Sequence, residues 1–319
     1  MLTGILAGVT WALETVILGI ALQMAPLTSD GRVVFLAPFI ATFLHDAFSA
    51  IYMLFYHVVR GRARSLFAVC KKKTVLWLIL SSAIGGPVGM TGYVMAVRYM
   101  GASVGAVASA IYPAVGAVLA CLFLKEKNRW YQWIFLAMTL LGVLGLSYSP
   151  VLQIENVWLG LLGALMCAFG WGIEAVILAK CFKDDGIKSE YALNIRQAVS
   201  ALIYGTLILP TVGAWEVTLG LFTGGEGLLL LVVAIAALCA TLSYMCYYRS
   251  ISKIGASKAM ALNITYTAWA ILFTVVLLGD LSVLNPMTLT FAPVIVVCGF
   301  FAATDIRQLF KMKKRVKKE

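Results

Sequence analysis

Long stretches of this chain carry no charged side chain, and that leaves few folds open to it. Residues 131–148, 227–248 and 287–303 contain no Lys, Arg, Asp or Glu, over lengths near the ~20 residues that cross a bilayer as a helix. Across all 319 residues, 62% are hydrophobic and 12% charged, whereas a soluble domain is about 25% charged. Backbone groups in lipid must find their hydrogen bonds within the segment, so the spans are expected to be helices. The reading is an all-α integral membrane protein with ten spans at 2–24, 34–58, 74–97, 102–124, 131–149, 157–179, 191–211, 227–248, 257–279 and 287–305. The run that starts at Met1 has no basic leader and reads as the first span, not as a cleaved signal.

Basic residues orient the bundle. With the N-terminus in the cytoplasm, 22 of the 25 Lys and Arg fall in cytoplasmic segments, Arg32 and Arg98 fall outside, and Arg196 lies within a helix. Both termini are therefore expected to be cytoplasmic. The net charge of +11 is a topological signature, with no nucleic-acid partner implied, and the basic tail at 306–319 is expected to lie against anionic lipid headgroups. The seven cysteines form no CxxC and read as small packing residues, with no disulfide framework. The sequence offers no metal-ligand cluster and no cofactor motif, and ATP-driven transport would need another subunit because no GxxxxGK[ST] loop is present.

The chain repeats itself. Trp11-Ala-Leu-Glu14 resembles Trp171-Gly-Ile-Glu174, His45-Asp46-Ala-Phe-Ser resembles Arg196-Gln197-Ala-Val-Ser, and Gly101-Ala-Ser103…Tyr112 resembles Gly255-Ala-Ser257…Tyr266. Five spans is an odd number, so a second five-span unit enters the membrane from the other side. Residues 1–150 and 151–305 are thus expected to be two inverted repeats, an arrangement that puts a substrate site near the midplane between the halves. Gly4 with Gly8, and Gly101 with Gly105, are small-xxx-small pairs for close helix packing. Gly85-Gly86-Pro87-Val88-Gly89 is expected to kink the third span or to pack closely, and Pro113 has the same two readings in the fourth.

Three acids fall well inside spans: Glu14, Asp46 and Glu174. Each costs about 2.5–3.5 kcal/mol at the bilayer centre even on lenient scales, so each needs a partner or a function. One reading gives them an ion pair with Arg196 or hydrogen bonds to neighbouring helices, with His45 a further partner for Asp46; the other makes them a ligand or proton site. Trp11 shares a helix face with Glu14, as Trp171 does with Glu174, and Tyr266 shares one with Asn263 and Trp269; Tyr112 is the first-half counterpart of Tyr266. Aromatic faces beside a carboxylate suit an organic cation, above all a quaternary ammonium. The expected substrate-binding residues are Trp171, Glu174, Tyr266, Trp269, Asn263, Trp11, Glu14 and Tyr112. Glu14, Asp46, His45 and Arg196 are expected to couple a proton or orient the site.

The ten-span repeat, with Ser109-Ala-Ile-Tyr112-Pro113 and Phe123-Leu-Lys-Glu126, resembles the drug/metabolite transporter superfamily of the EamA type. Within it, His45-Asp46 with Ser49, Gly86-Pro87-Val88-Gly89-Met90, Trp171-Gly172-Ile-Glu174, Ile195-Arg196-Gln197 and Lys258-Ala259…Leu262-Asn263…Tyr266 are similar to the Lic-type bacterial choline permeases. That resemblance implies proton-driven choline uptake across the bacterial cytoplasmic membrane. It also implies an ammonium held by Trp171, Tyr266 and Trp269 against Glu174. The same fold also serves exporters of amino acids and other small metabolites, which neutral or anionic ligands would reveal. A lipid flippase, a membrane enzyme or a passive channel fits the residues less well: His45 and His57 are the only histidines and no nucleophile–base spacing is present. Oligomeric state is left open by the sequence.

Overall fold

The structure is a computed structural model, and it describes residues 1–100, 110–146, 156–184 and 186–305, apart from the Arg98 side chain. Gly101, Ser103, Gly105, Ser109, the expected boundary at 150 and the tail at 306–319 lie outside the described residues.

The described residues form helices and turns and no strand. In chain order the helices are α1 (Leu2–Leu22), α2 (Gly31–Val59), α3 (Ala63–Cys70), α4 (Thr74–Ala83), α5 (Gly89–Met100), α6 (Tyr112–Leu124), α7 (Trp130–Leu146) and α8 (Val157–Asp184). They continue with α9 (Ser189–Ile203), α10 (Leu209–Val212), α11 (Trp215–Thr223), α12 (Gly227–Ile254), α13 (Ala256–Asn263), α14 (Tyr266–Leu278) and α15 (Pro286–Ala303). Eight helical stretches are long and apolar enough to cross a membrane, and α6 and α7 are shorter apolar helices. Polar caps set several boundaries. Asp30 accepts a hydrogen bond from the Val33 N–H at 2.9 Å, so α2 starts three residues before the expected position. Asn285 and Thr288 form a reciprocal capping box at the start of α15, which satisfies two otherwise orphaned donors.

Departures from regular helix are concentrated where the sequence breaks the local rules. A π turn at Ile84–Val88 joins α4 to α5, because Pro87 has no N–H to give to the ladder. A second π turn, Tyr204–Ile208, joins α9 to α10. The span expected at 257–279 is two helices, broken at Ile264-Thr265. There the Thr265 hydroxyl donates to the Leu262 carbonyl at 2.6 Å, a side-chain bond that competes with the helical ladder. Pro113 falls in the first turn of α6, where the missing N–H costs nothing, so it bends no described helix. The short helices α3 and α11, in what the sequence reads as connections, were not anticipated.

Contacts between chain ends define two poles. Met1 lies beside Thr304, Arg129 beside Asp305 at 3.6 Å, and Glu126 beside Ala256 and Ser257. At the opposite pole, Arg32 donates to the Gly213 carbonyl and Asn156 N–H to that of Tyr99. Helices pack closely at small residues between the poles. A Cβ on Gly8 would stand 2.9 Å from the Thr265 hydroxyl, which lets α1 approach the α13–α14 break. Gly92 and Gly163 bring α5 and α8 into backbone contact in the same way. No disulfide forms among the described residues.

Candidate functional site

Between the poles, side chains from nine helices and the π turn at Ile84–Val88 converge on a cavity of about 100 Å³. The π turn makes room for it. A Cβ on Gly85 would collide with the Glu174 carboxylate, one on Gly86 with the Ser200 hydroxyl, and one on Gly89 would stand 2.9 Å from the Trp171 ring. The glycine run is therefore a packing requirement as well as a helix distortion.

The cavity holds a buried charge network. Arg196, 4% exposed, donates from Nη1 to both oxygens of Asp46 at 3.1 and 3.3 Å and from Nε to Glu174 Oε1 at 3.3 Å. Nη1 also reaches Gln197 Oε1 at 2.7 Å, and the guanidinium lies 4.8 Å from the centre of the Tyr244 ring. Glu174 Oε1 accepts a second bond, from the Tyr248 hydroxyl at 2.8 Å. His45 Nδ1 sits 2.9 Å from Asp46 Oδ1, and its Nε2 faces Glu14 Oε1 at 3.8 Å. Glu14 has in addition one weak donor, the Thr15 hydroxyl at 3.3 Å.

The distribution of partners separates the two repeated glutamates. Glu174, the acid that the sequence resemblance casts as counter-charge, already holds a guanidinium and a phenol. Among the described residues, Glu14 faces only an imidazole beyond hydrogen-bond range and an adjacent threonine. Among the described lining residues three carboxyl groups, Asp46, Glu174 and Glu14, stand against one guanidinium, so with all three ionised the wall has two negative charges in excess when His45 is neutral and one when it is protonated. In a medium of low dielectric such an excess attracts a cation strongly.

Aromatic rings complete the wall. Trp11 meets Tyr244 edge-on at 5.0 Å and Tyr266 at 6.5 Å. Trp171 meets Tyr112 edge-on at 5.3 Å and stacks on Tyr93 at 6.1 Å. Asn263 donates to the Tyr112 hydroxyl at 3.1 Å. Of the residues expected from sequence, Trp11, Glu14, His45, Asp46, Tyr112, Trp171, Glu174, Arg196, Asn263 and Tyr266 all line this cavity. Trp269 lines neither this cavity nor the one beside it. It stands one turn beyond Tyr266 along α14, roughly 4.5 Å further along the axis. Sequence reading missed Tyr244, Tyr247 and Tyr248 on α12, although three tyrosines at i, i+3 and i+4 inside an uncharged span were the available signal.

A second cavity of about 940 Å³ adjoins the first and shares Trp11, Glu14, Leu18, Thr42, Met90, Trp171 and Tyr266 with it. Its wall includes Leu22 at the end of α1, Gly31 and Phe35 at the start of α2, and Tyr99 near the end of α5, so it opens toward the pole opposite Met1. At the Met1 pole the segment after α6 is clamped to the start of α13. Glu126 accepts the Ala256 and Ser257 N–H groups at the start of α13, at 2.8 and 3.2 Å, and Asn128 donates to the Ser257 hydroxyl at 2.6 Å. Gly255 takes φ +89° there, and a Cβ would strike the Glu126 carboxylate.

Residues 1–148 match the EamA-like transporter family. The chain is 28% identical over 271 residues to Protein LicB of Haemophilus influenzae, covering 85% of this chain and 86% of that one. A solved structure described as "Crystal structure of protein" shares the fold, with a TM-score of 0.69 over 97% of both chains at 18% identity.

Removing Arg196 leaves two buried carboxylates without a cation. Arg196→Met is expected to destabilise the protein by about 3–5 kcal/mol, read as a lower thermal denaturation midpoint in detergent, with part of the loss recovered by adding Asp46→Asn. A midpoint equal to that of the unaltered protein would remove the network from the account of stability.

Proposed function

We propose, from the EamA-like transporter domain that residues 1–148 form, that this chain is a secondary active importer of choline or a related quaternary amine. It has ten spans in two inverted halves, both termini in the cytoplasm and the bacterial inner membrane as its home. The observation that carries the reading is the excess of carboxyl groups over guanidinium in one cavity with Trp11, Trp171 and Tyr266. Each desolvated cation–π contact is worth about 2 kcal/mol or more, and neither it nor the carboxylate requires the ligand to donate a hydrogen bond. A quaternary ammonium has no donor on nitrogen, so this wall suits it better than a wall of acceptors would.

Glu14 is the carboxylate that meets the ammonium, because Arg196 and Tyr248 already hold Glu174. The mouth faces the pole opposite Met1, which with cytoplasmic termini is the outside, the state in which an importer receives its substrate. The Glu126 clamp on α13 closes the other side. Transport then requires that clamp to release while the wide vestibule narrows, as one half rocks against the other. An inside-negative potential favours entry of a cation by about 2.3 kcal/mol per charge per 100 mV. For a proton to add to this driving force it must travel with the cation, so the two cannot share Glu14. His45, held between Glu14 and Asp46, is the group placed to take it.

Three measurements test this reading. Glu14→Gln should weaken choline binding, read as ligand-induced thermal stabilisation, by roughly tenfold to a hundredfold, the value of a hydrogen-bonded or charge-paired ion; unchanged affinity rejects the site. In proteoliposomes, His45→Gln should abolish the stimulation of choline uptake by an acidic exterior and keep its dependence on membrane potential. If pH stimulation survives, the proton runs elsewhere. Glu126→Gln in a background whose single cysteine is Cys121 should speed its labelling by a soluble maleimide severalfold, since Asn128 and the clamp shelter that thiol; an unaltered rate means the clamp is not the closure.

A further inference from the structure

The two adjoining cavities differ in chemistry as well as in size. The inner one, about 100 Å³, carries the charge network, and the vestibule, about 940 Å³, is some nine times larger. Along the vestibule wall run Leu22, Val34, Phe35, Pro38, Val94 and Val97. Among its described lining residues Glu14, at the floor shared with the inner cavity, is the sole charged side chain. Val34 and Phe35 are 53% and 43% exposed on α2, so this part of the apolar wall is not covered by another described helix. A path meant only for a small hydrated cation has no use for so large an apolar surface, and water held against it is in an unfavourable place.

We infer that the vestibule is a subsite for the alkyl tail of an amphiphilic cation, whose trimethylammonium head enters the inner cavity between Trp11 and Glu14 while its chain lies along Leu22, Phe35 and Val97. The chemical class is a single-chain alkyl quaternary ammonium. This rests on the inner cavity accepting a quaternary ammonium, as proposed above. Polarity matches in both parts: negative charge and aromatic faces at the closed end, hydrocarbon along the open one. Each methylene moved from water onto an apolar wall improves binding by up to about fourfold. A ligand with this tail holds the protein open on the vestibule side, because the chain occupies space that must close before the other pole opens. Such a compound therefore blocks transport without being carried.

The test is competition against labelled choline in proteoliposomes with ethyl-, butyl-, hexyl- and octyltrimethylammonium, each below its micellar concentration, and octyl sulfate and octanol as chain controls. The expected result is an inhibition constant that falls twofold to fourfold per added methylene, with no competition from octyl sulfate or octanol. Phe35→Ser and Leu22→Ser should flatten the chain-length series and leave inhibition by tetramethylammonium as it was. If tetramethylammonium and choline bind but the series is flat, or if the two variants leave its slope unchanged, the tail subsite is overturned and the choline reading stands. If octyl sulfate or octanol competes as well as octyltrimethylammonium, the effect belongs to the chain in lipid and the subsite is likewise overturned. If no trimethylammonium compound competes, both readings fall together.

Discussion

Arg196 is the interaction on which the centre of this molecule depends. A guanidinium buried inside an apolar bundle would be intolerable alone, and Asp46 from α2 and Glu174 from α8 neutralise it at 3.1–3.3 Å. Those acids lie 150 and 22 residues away in sequence. The guanidinium divides its donors, Nη1 serving both oxygens of Asp46 and Nε serving Glu174, which its several fixed N–H groups allow and a single ammonium would do less well. Buried pairs of this kind are weak sources of net stability but strong sources of specificity, since breaking one leaves an uncompensated charge. Here the network ties α2, α8 and α9 into a single register, and the cavity forms around it.

The same network decides which charge is left over. With Glu174 and Asp46 spent on Arg196, and Tyr244 placed against the guanidinium at 4.8 Å, Glu14 is the cavity acid left without a guanidinium among the described residues. The two repeated Trp–Glu faces thus do different things. In one half the glutamate is part of the scaffold; in the other it stands beside Trp11 with weak partners. The same Trp-x-x-Glu spacing therefore meets two different surroundings, one filled with donors and one nearly bare.

Helix irregularity serves the same centre. The π turn at Ile84–Val88 passes glycines beside Glu174, Ser200 and Trp171, and the break at Ile264-Thr265 sets Asn263 and Tyr266 on the cavity from two separate short helices. Non-helical backbone is costly in a membrane and is tolerated where it lines a cavity or is buried in protein. Both irregularities sit where that condition holds.

The sequence by itself determined that the chain is helical and membrane-embedded, where most helices begin and end, and which acids and aromatics gather at the centre. Hydropathy and helical spacing are properties of neighbouring residues, so they can be read along a line. Only the tertiary structure decided which carboxylates Arg196 holds, that Trp269 stands apart from the cavity while Tyr244 and Tyr247 line it and Tyr248 braces Glu174, and that a turn divides one expected span into two helices. Those outcomes depend on distances between segments remote in the chain. Low dielectric makes each such distance worth several kcal/mol, so they follow from how the helices pack and from nothing in their local spacing.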